Sequence, residues 1–392
     1  MSVVFKRGYV LGTGIADLVI ENGVIQAIGT DLTSKRAINA AGKLLAPGFV
    51  DTHRHMAQAP LRGFGPDMTL AHYLTNVVSH IGRSMSLSDV QTSVRLAAAE
   101  AMNAGVTTVL DWSTVSDPKQ ADAAFDALAD TGLRVVFGHS NPDAMHPGAE
   151  AVASLGPDYL SVEDTARHIK VARDRGLITS MHVGGQRGGS VRQLREAGLL
   201  GPDLHFVHGN LLEDDEFKML VDAGSTLTVT PVTELMMGHG GLAYRRFADA
   251  GGEPALGVDV QISGGPDMFS EMLTCLTYER THGPLPARDV LRAATINGAK
   301  AIGLGDRVGS LEVGKRADII MLSGLEHLFG EDPAVLEGAV ATSVGTEDVH
   351  TVLIDGVLVK NEGVLVDHDL RELRELTVEI AHRTLAAATS PS

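Results

Sequence analysis

Histidine and aspartate recur in this sequence at spacings that suit a metal ion. In Asp51-Thr52-His53-Arg54-His55, residues i and i+2 of an extended strand point the same way, so His53 and His55 can grip one ion from one strand. His182 closes Ser180-Met-His, His208 closes Phe206-Val-His and Asp259 closes Gly257-Val-Asp, each at the end of a strand-length apolar run. His139 ends another run more loosely. Imidazole together with carboxylate suits one divalent ion, zinc first, with iron and manganese as alternatives. Three imidazoles and one carboxylate leave a position for water, which such an ion makes acidic enough to attack near neutral pH. The expected chemistry is hydrolytic. Each residue also has a plainer reading, because a lone histidine often fills a hydrogen-bonded place in a core or loop. Their conjunction at successive strand ends carries the metal reading. His139 stays open between a contact behind the site and a structural hydrogen bond.

These groups converge only if their strands lie side by side. Eight apolar runs fit strands: Leu44–Asp51, Val106–Trp112, Leu133–Gly138, Ala151–Leu155, Ile178–Val183, Leu204–His208, Ser225–Thr230 and Ala255–Val260. Helix-length stretches separate most of them, from Ser86 to Gly105, Ser116 to Gly132 and Ser161 to Gly176, the last opening with Ser161 and Asp164 as a capping pair. The alternation predicts an α/β chain folded as a (β/α)8 TIM barrel, whose reactive groups sit at the C-terminal strand ends. The link from Ser140 to Glu150 is short for a parallel crossover, so either a helix is missing there or the fourth strand is misplaced. Both chain ends carry hairpin texture, with Asn22-Gly23 and Asp355-Gly356 as turns between apolar strands, and are expected to build one small sheet domain. The expected organisation is residues 1–48 plus 308–367 as that domain, 49–307 as the barrel, and 368–392 as a helix from Leu370 to about Ala388 and a tail.

Composition narrows the partners. The 392 residues are 44% hydrophobic and 21% charged, enough for a large core, and 32 basic against 49 acidic residues leave a formal charge of −17. No run of lysine and arginine offers a footprint for phosphate backbones, so nucleic acid is not expected. The one cysteine, Cys275, sits in an apolar helical run, which excludes a disulfide framework and a cysteine zinc cluster and fits a cytoplasmic address. Neither an apolar signal core at the N-terminus nor a run of ~20 apolar residues points to secretion or a membrane. A small-molecule substrate is the expected partner, and a homo-oligomer suits the size.

Four motifs then carry a resemblance: Ala46-Pro-Gly-Phe-Val-Asp-Thr-His-Arg-His, Ala104-Gly-Val-Thr-Thr-Val, Ala294-Thr-Ile-Asn-Gly-Ala-Lys and Gly309-Ser-Leu-Glu-Val-Gly-Lys-Arg-Ala-Asp-Ile. Over nearly the whole chain and in this order they resemble the amidohydrolase superfamily, in the branch of cytosine deaminase, adenosylhomocysteine deaminase and the triazine hydrolases. The resemblance implies a mononuclear site with His53, His55, His182 and Asp259 as ligands. It implies that His208 lies beside the activated water, that Asp259 doubles as base, and that the terminal segments form a β-sandwich. One departure stands out. Deaminases of this branch usually carry a glutamate three residues after the strand-five histidine as proton shuttle, and Gly185 stands there. General acid catalysis is typically worth ~10²–10⁴-fold, so the proton needs another source or the substrate does not require it. Glu234, with His239 behind it, is the expected stand-in, against the plainer reading of a surface glutamate and a loop histidine. Substrate contacts are expected from Gln58, Arg62 and Asp67 on the first long loop, and from Trp112 and His239; Trp112 could stack on a flat ring or belong to the core. The implied activity is deamination of an amino-substituted nitrogen heterocycle or amidine-like small molecule. Alternatives are a chlorohydrolase, favoured by the missing glutamate because chloride leaves without a proton, a cyclic amide hydrolase, a biosynthetic enzyme with an unusual substrate, or a non-catalytic homologue. The intact ligand set speaks against the last.

Overall fold

A computed structural model describes residues 2–78, 84–115, 117–265 and 267–389. The terminal strands are β1 (Ser2–Val10), β2 (Gly14–Glu21), β3 (Val24–Gly29), β4 (Arg36–Asn39) and β5 (Leu44–Pro47). The barrel strands are β6 (Phe49–Arg54), β7 (Val106–Trp112), β8 (Arg134–His139), β9 (Ala151–Ser154), β10 (Ile178–Val183), β11 (Leu204–His208), β12 (Thr226–Val229) and β13 (Ala255–Leu256). All neighbours in this second set pair in parallel, in chain order. The ring closes where Asp259 N donates to His53 O (2.8 Å) and His55 N donates to Asp259 O (3.0 Å). This is the expected (β/α)8 barrel.

Two readings of the strands need correction, and an open one is resolved. The expected single strand Leu44–Asp51 is two strands in different sheets, parted at Gly48. A Cβ on Gly48 would lie 2.2 Å from the Thr107 side chain, so only glycine lets the chain slip between the layers there. The eighth strand stops at Leu256 rather than Val260. A Cβ on Gly257 would come within 2.9 Å of the His53 backbone, and from this close approach the chain turns to hand Asp259 to β6. The fourth strand is where the sequence places it, and its preceding helix is missing: only a 3₁₀ turn at Pro142–Ala144 stands between β8 and β9. β9 is four residues long and pairs with β8 through two, so the return path is short enough for a loop.

Helix starts follow their caps. Ser86 and Asp89 form a reciprocal capping box ahead of the Leu87–Asn103 helix, and Ser161 Oγ accepts the Asp164 N–H ahead of Val162–Asp174. Ser116 lies outside the described residues; the Pro118–Ala129 helix is capped by Asp117, whose carboxylate accepts the Lys119 and Gln120 N–H groups.

Inside the barrel a buried polar chain crosses four strands: Ser180 Oγ to His205 Nδ1 (2.9 Å), His205 Nε2 to Thr228 Oγ1 (2.8 Å), and Thr228 Oγ1 to Thr52 Oγ1 (2.6 Å). Three of these strands, β6, β10 and β11, carry a candidate site residue further along, so the network sets their height and spacing.

The chain ends meet in one nine-stranded sheet with β14 (Ile319–Leu322), β15 (Val349–Ile354), β16 (Val357–Asn361) and β17 (Val364–Leu365), ordered β17-β16-β15-β14-β5-β1-β2-β3 with β4 also on β1. Its far edge folds back, since Ile25 N donates to Lys315 O (2.9 Å), and the two layers enclose Phe5, Leu18, Ile20, Leu45, Ile319 and Leu353. This is the sandwich built from both termini. The C-terminal helix Leu370–Thr389 packs on the Leu87–Asn103 helix and on the turn Met56–Leu61 that follows β6. Among the described residues, no helix is long and apolar enough to cross a membrane.

Candidate metal centre

The ends of β6, β10 and β11 and the segment after β13 bring His53, His55, His182, His208 and Asp259 to one place. Two overlapping sets share His53: His53, His182 and His208, and His53, His55 and Asp259, with donor atoms within 4.8 Å of one another in each. Asp259 Oδ1 lies 3.3 Å from His53 Nε2 and 3.1 Å from His55 Nε2. His182 stacks against His208 with ring centres 5.4 Å apart, and His53 meets His182 edge-on at 5.0 Å.

Protonation state follows from surroundings. Burial pushes the His53 pKa down to about 4 despite the Asp259 carboxylate, and it drives His182 well below its usual value, so both are neutral with lone pairs available. His55 donates its Nδ1–H to the Trp112 carbonyl (2.7 Å), which leaves its Nε2 lone pair facing Asp259. Burial opposes ionisation of Asp259, but the imidazoles of His53 and His55 beside it outweigh burial and hold its pKa well down. His208 differs: burial opposes its charge too, yet Glu234 and Asp259 overcome this and raise its pKa. The seven non-glycine residues with left-handed backbone, among the described residues, include just two in the barrel, His208 (φ 79°) and Asp259 (φ 63°). Such a conformation is costly for these side chains, and here it turns both into the mouth.

The set fits a cation. Both ring nitrogens of His53 and Nδ1 of His182 are buried without a hydrogen-bond partner, a state that costs free energy unless another group takes the lone pairs. Neutral imidazoles and one ionised carboxylate are the donors a divalent transition metal takes.

The barrel mouth above this cluster is a cavity of about 250 Å³ that includes Trp112, Tyr73, Tyr159 and His239, with apolar walls from Leu74, Leu155 and Met237 among others. Among the described residues, no lysine or arginine lines it, and Asp259 is its one carboxylate.

Residues 44–359 match the amidohydrolase family. The chain belongs to that family. A 5'-deoxyadenosine deaminase of Methanosarcina mazei is 28% identical, the alignment covering 95% of this chain and 96% of the relative. Among solved structures, an atrazine chlorohydrolase from Arthrobacter aurescens TC1 complexed with zinc has a TM-score of 0.84 at 21% identity, over 97% of this chain and 100% of the other. An adenosine deaminase from Xanthomonas campestris with bound zinc has a TM-score of 0.78 at 22% identity, over 98% of each chain. Likeness at these identities establishes the fold that this amidohydrolase shares with them.

The residues expected to touch substrate separate into two groups. Trp112 and His239 line the cavity, and both ring nitrogens of His239 are buried without a partner. Burial brings the His239 pKa down to about 4, so this imidazole is neutral. Gln58, Arg62 and Asp67 do not line it. Gln58 is buried behind Tyr73 and holds the Tyr73 hydroxyl with both its amide atoms (2.7 and 2.9 Å). Arg62 turns the other way, to Glu100 (2.8 Å) beneath the C-terminal helix, because a buried carboxylate there outcompetes solvent. Asp67 is an exposed loop residue. Glu234 is neither a surface residue nor a group at the mouth. It is buried behind His208, accepting the Nδ1–H of His208 (3.2 Å), the Thr230 N–H (2.7 Å) and the Asn210 amide (2.8 Å). His139 takes the Asn141 N–H on Nδ1 (3.1 Å) and lies outside the cavity lining, which is the structural hydrogen bond of its two readings. Tyr73, Thr114 and Tyr159 were missed: Thr114 and Tyr159 sit on loops where no periodicity marks which side chains face inward, and Tyr73 lies on the helical segment from Leu70, whose spacing with Leu70, Leu74 and Val78 could have shown its inward face.

Proposed function

We propose that this amidohydrolase is a deaminase that holds one zinc ion through His53, His55, His182 and Asp259 and replaces an amino group on a small, neutral nitrogen heterocycle or amidine-like carbon. The observation that carries this reading is the fully buried His53 imidazole, with neither nitrogen hydrogen-bonded, pointing at an ionised Asp259 beside the His55 and His182 rings. When bound, the ion supplies the Lewis acidity that makes a water nucleophilic near neutral pH. Asp259 is the carboxylate placed to take that water's proton. His208 Nε2, 4.0 Å from Asp259 Oδ2, is steered by the Glu234 hydrogen bond on its other nitrogen, and so faces the reacting atoms with one tautomer fixed. Trp112 offers a flat face to a ring, and neutral His239 offers both a donor and an acceptor. The described lining carries Asp259 and no lysine or arginine, which suits a neutral substrate better than a phosphorylated or carboxylated one. The names of the deaminase relatives support the leaving group, and the free, buried Cys275 goes with a cytoplasmic setting.

A second reading is chloride displacement, supported by Gly185 and by the chlorohydrolase among the fold's neighbours. Zinc-loaded enzyme should release ammonia from at least one of 5'-deoxyadenosine, guanine, melamine and a pyrimidine amine. Chloride release from atrazine without ammonia from any of these would select the second reading, and inertness on all of them would overturn both.

A further inference from the structure

The space beside residue 185 is filled from another element. A Cβ on Gly185 would lie 3.7 Å from the Tyr159 hydroxyl and 3.9 Å from Leu70 Cδ2, with no backbone atom in the way. Tyr159 reaches this point from the loop after β9 and lines the same cavity as His182, His208 and Asp259. Its position is built rather than incidental. The neighbouring Asp158 accepts the Gly185 and Gln186 N–H groups (3.1 and 3.2 Å) on one oxygen and bonds the Ser190 hydroxyl with the other. Gly156, left-handed, lets the same loop pass so near β10 that a Cβ would meet the His182 carbonyl at 2.5 Å. The Tyr159 loop and the end of β10 with the loop after it are therefore locked face to face.

The phenol is a hydrogen-bond donor on the cavity wall, with the Gln186 side chain beside it. Tyr73, the other tyrosine there, gives its O–H to Gln58 Oε1. Burial pushes the Tyr159 pKa up to about 12, so its proton stays in place throughout the working range of the enzyme.

We propose that Tyr159 is a substrate-contacting residue of the deamination, its O–H donating a hydrogen bond to the ring nitrogen that gains electron density as water adds to the amino-bearing carbon. This rests on the deaminase reading above. In that reaction the water oxygen bonds to carbon, the carbon–nitrogen bond breaks, and the amine leaves as ammonia with a proton that came from the water. The phenol hydrogen is shared with the substrate and never released. The preferred substrates are then rings with an unprotonated acceptor nitrogen next to the amino-bearing carbon.

The test compares zinc-loaded parent, Y159F and the double variant Y159F/G185E on whichever aminated ring of the panel the parent turns over. Removing one hydrogen bond to a developing charge should lower kcat of Y159F by about 10- to 100-fold, with zinc content and melting temperature unchanged. A carboxyl at position 185 occupies the same space, so the double variant should recover part of the loss. It should also acquire a pH limb that the parent lacks, falling as the pH rises through the pKa of the new carboxyl, because only its protonated form donates. A Y159F enzyme within twofold of the parent, or a double variant with neither gain nor new limb, overturns the proposal. A parent that turns over no aminated ring instead removes the deaminase reading, and this inference falls with it.

Discussion

Neither ring nitrogen of the buried His53 has a hydrogen-bond partner, and this makes the cluster sensitive to single substitutions. Asp259→Ala removes the one carboxylate among the candidate ligands, and metal analysis should find zinc falling from about one per chain to near zero, with activity lost in parallel. An Asp259→Ala protein that keeps its zinc would place the ion elsewhere. Glu234→Gln tests the group behind His208. A carboxylate accepts hydrogen bonds on both oxygens, and here one oxygen takes Thr230 N–H and His208 while the other takes the Asn210 amide. A glutamine must point its own NH₂ at one of these buried donors, which costs about 1–3 kcal/mol, and it loses the charge that holds His208. Thermal melting should fall and kcat should drop by about 10- to 100-fold while zinc is retained. Loss of zinc in this variant would instead make Glu234 part of the ligand shell.

Elements place what residues cannot place alone. The turn Met56–Leu61 leaves the barrel directly after His55, sends Gln58 inward to hold Tyr73, and sends Arg62 outward to Glu100, which also takes Arg374 of the C-terminal helix (2.9 Å). Arg62 therefore belongs to the bracing of this helix. Arg62→Ala should leave kcat/KM within about twofold and cost about 1 kcal/mol or less in urea unfolding; a large rise in KM would restore Arg62 as a substrate contact. At Gly48 the two sheets pass so close that Gly48→Ala should destabilise by about 1–3 kcal/mol through overpacking against Thr107, read as a lower denaturation midpoint. Strands such as Ile178–Val183 and Leu204–His208 were legible because glycines and turn residues bound their apolar runs. The split at Gly48 was not, because its cause, Thr107, lies 59 positions on in the chain.

Across the whole molecule, the terminal sandwich is stitched to the barrel by buried charge. Arg134 of β8 pairs with Asp318 and with Asp355 (2.6 Å), and Lys360 of β16 donates to the Asn103 carbonyl at the end of a barrel helix (2.7 Å). Burial brings the Lys360 pKa down to about 8 from an unfolded value near 10.5. A lysine with a depressed folded pKa destabilises the fold while both states are protonated, below pH 8. That penalty is relieved as the pH rises from about 8 to about 10.5, where the folded lysine is neutral while the unfolded one still binds a proton. Lys360→Met keeps the stem without the charge, so its melting temperature relative to the parent should be most favourable at pH 7 and lose ground by pH 10. A difference that does not change with pH would mean that Lys360 remains charged in the fold.

The sequence by itself determined the kind of fold and the kind of chemistry. Strand ends are written in local periodicity, and alternation along a strand carries His53 and His55 to the same side, so the metal-binding residue types, their order and the barrel could be read without coordinates. Tertiary structure decided the rest. Which loop residues enter the cavity depends on contacts between distant parts of the chain, such as Asp158 with Gly185 and Arg62 with Glu100, and no periodicity encodes them. These contacts put Glu234 behind His208, turn Arg62 away, and fill the space at Gly185 with the hydroxyl of Tyr159.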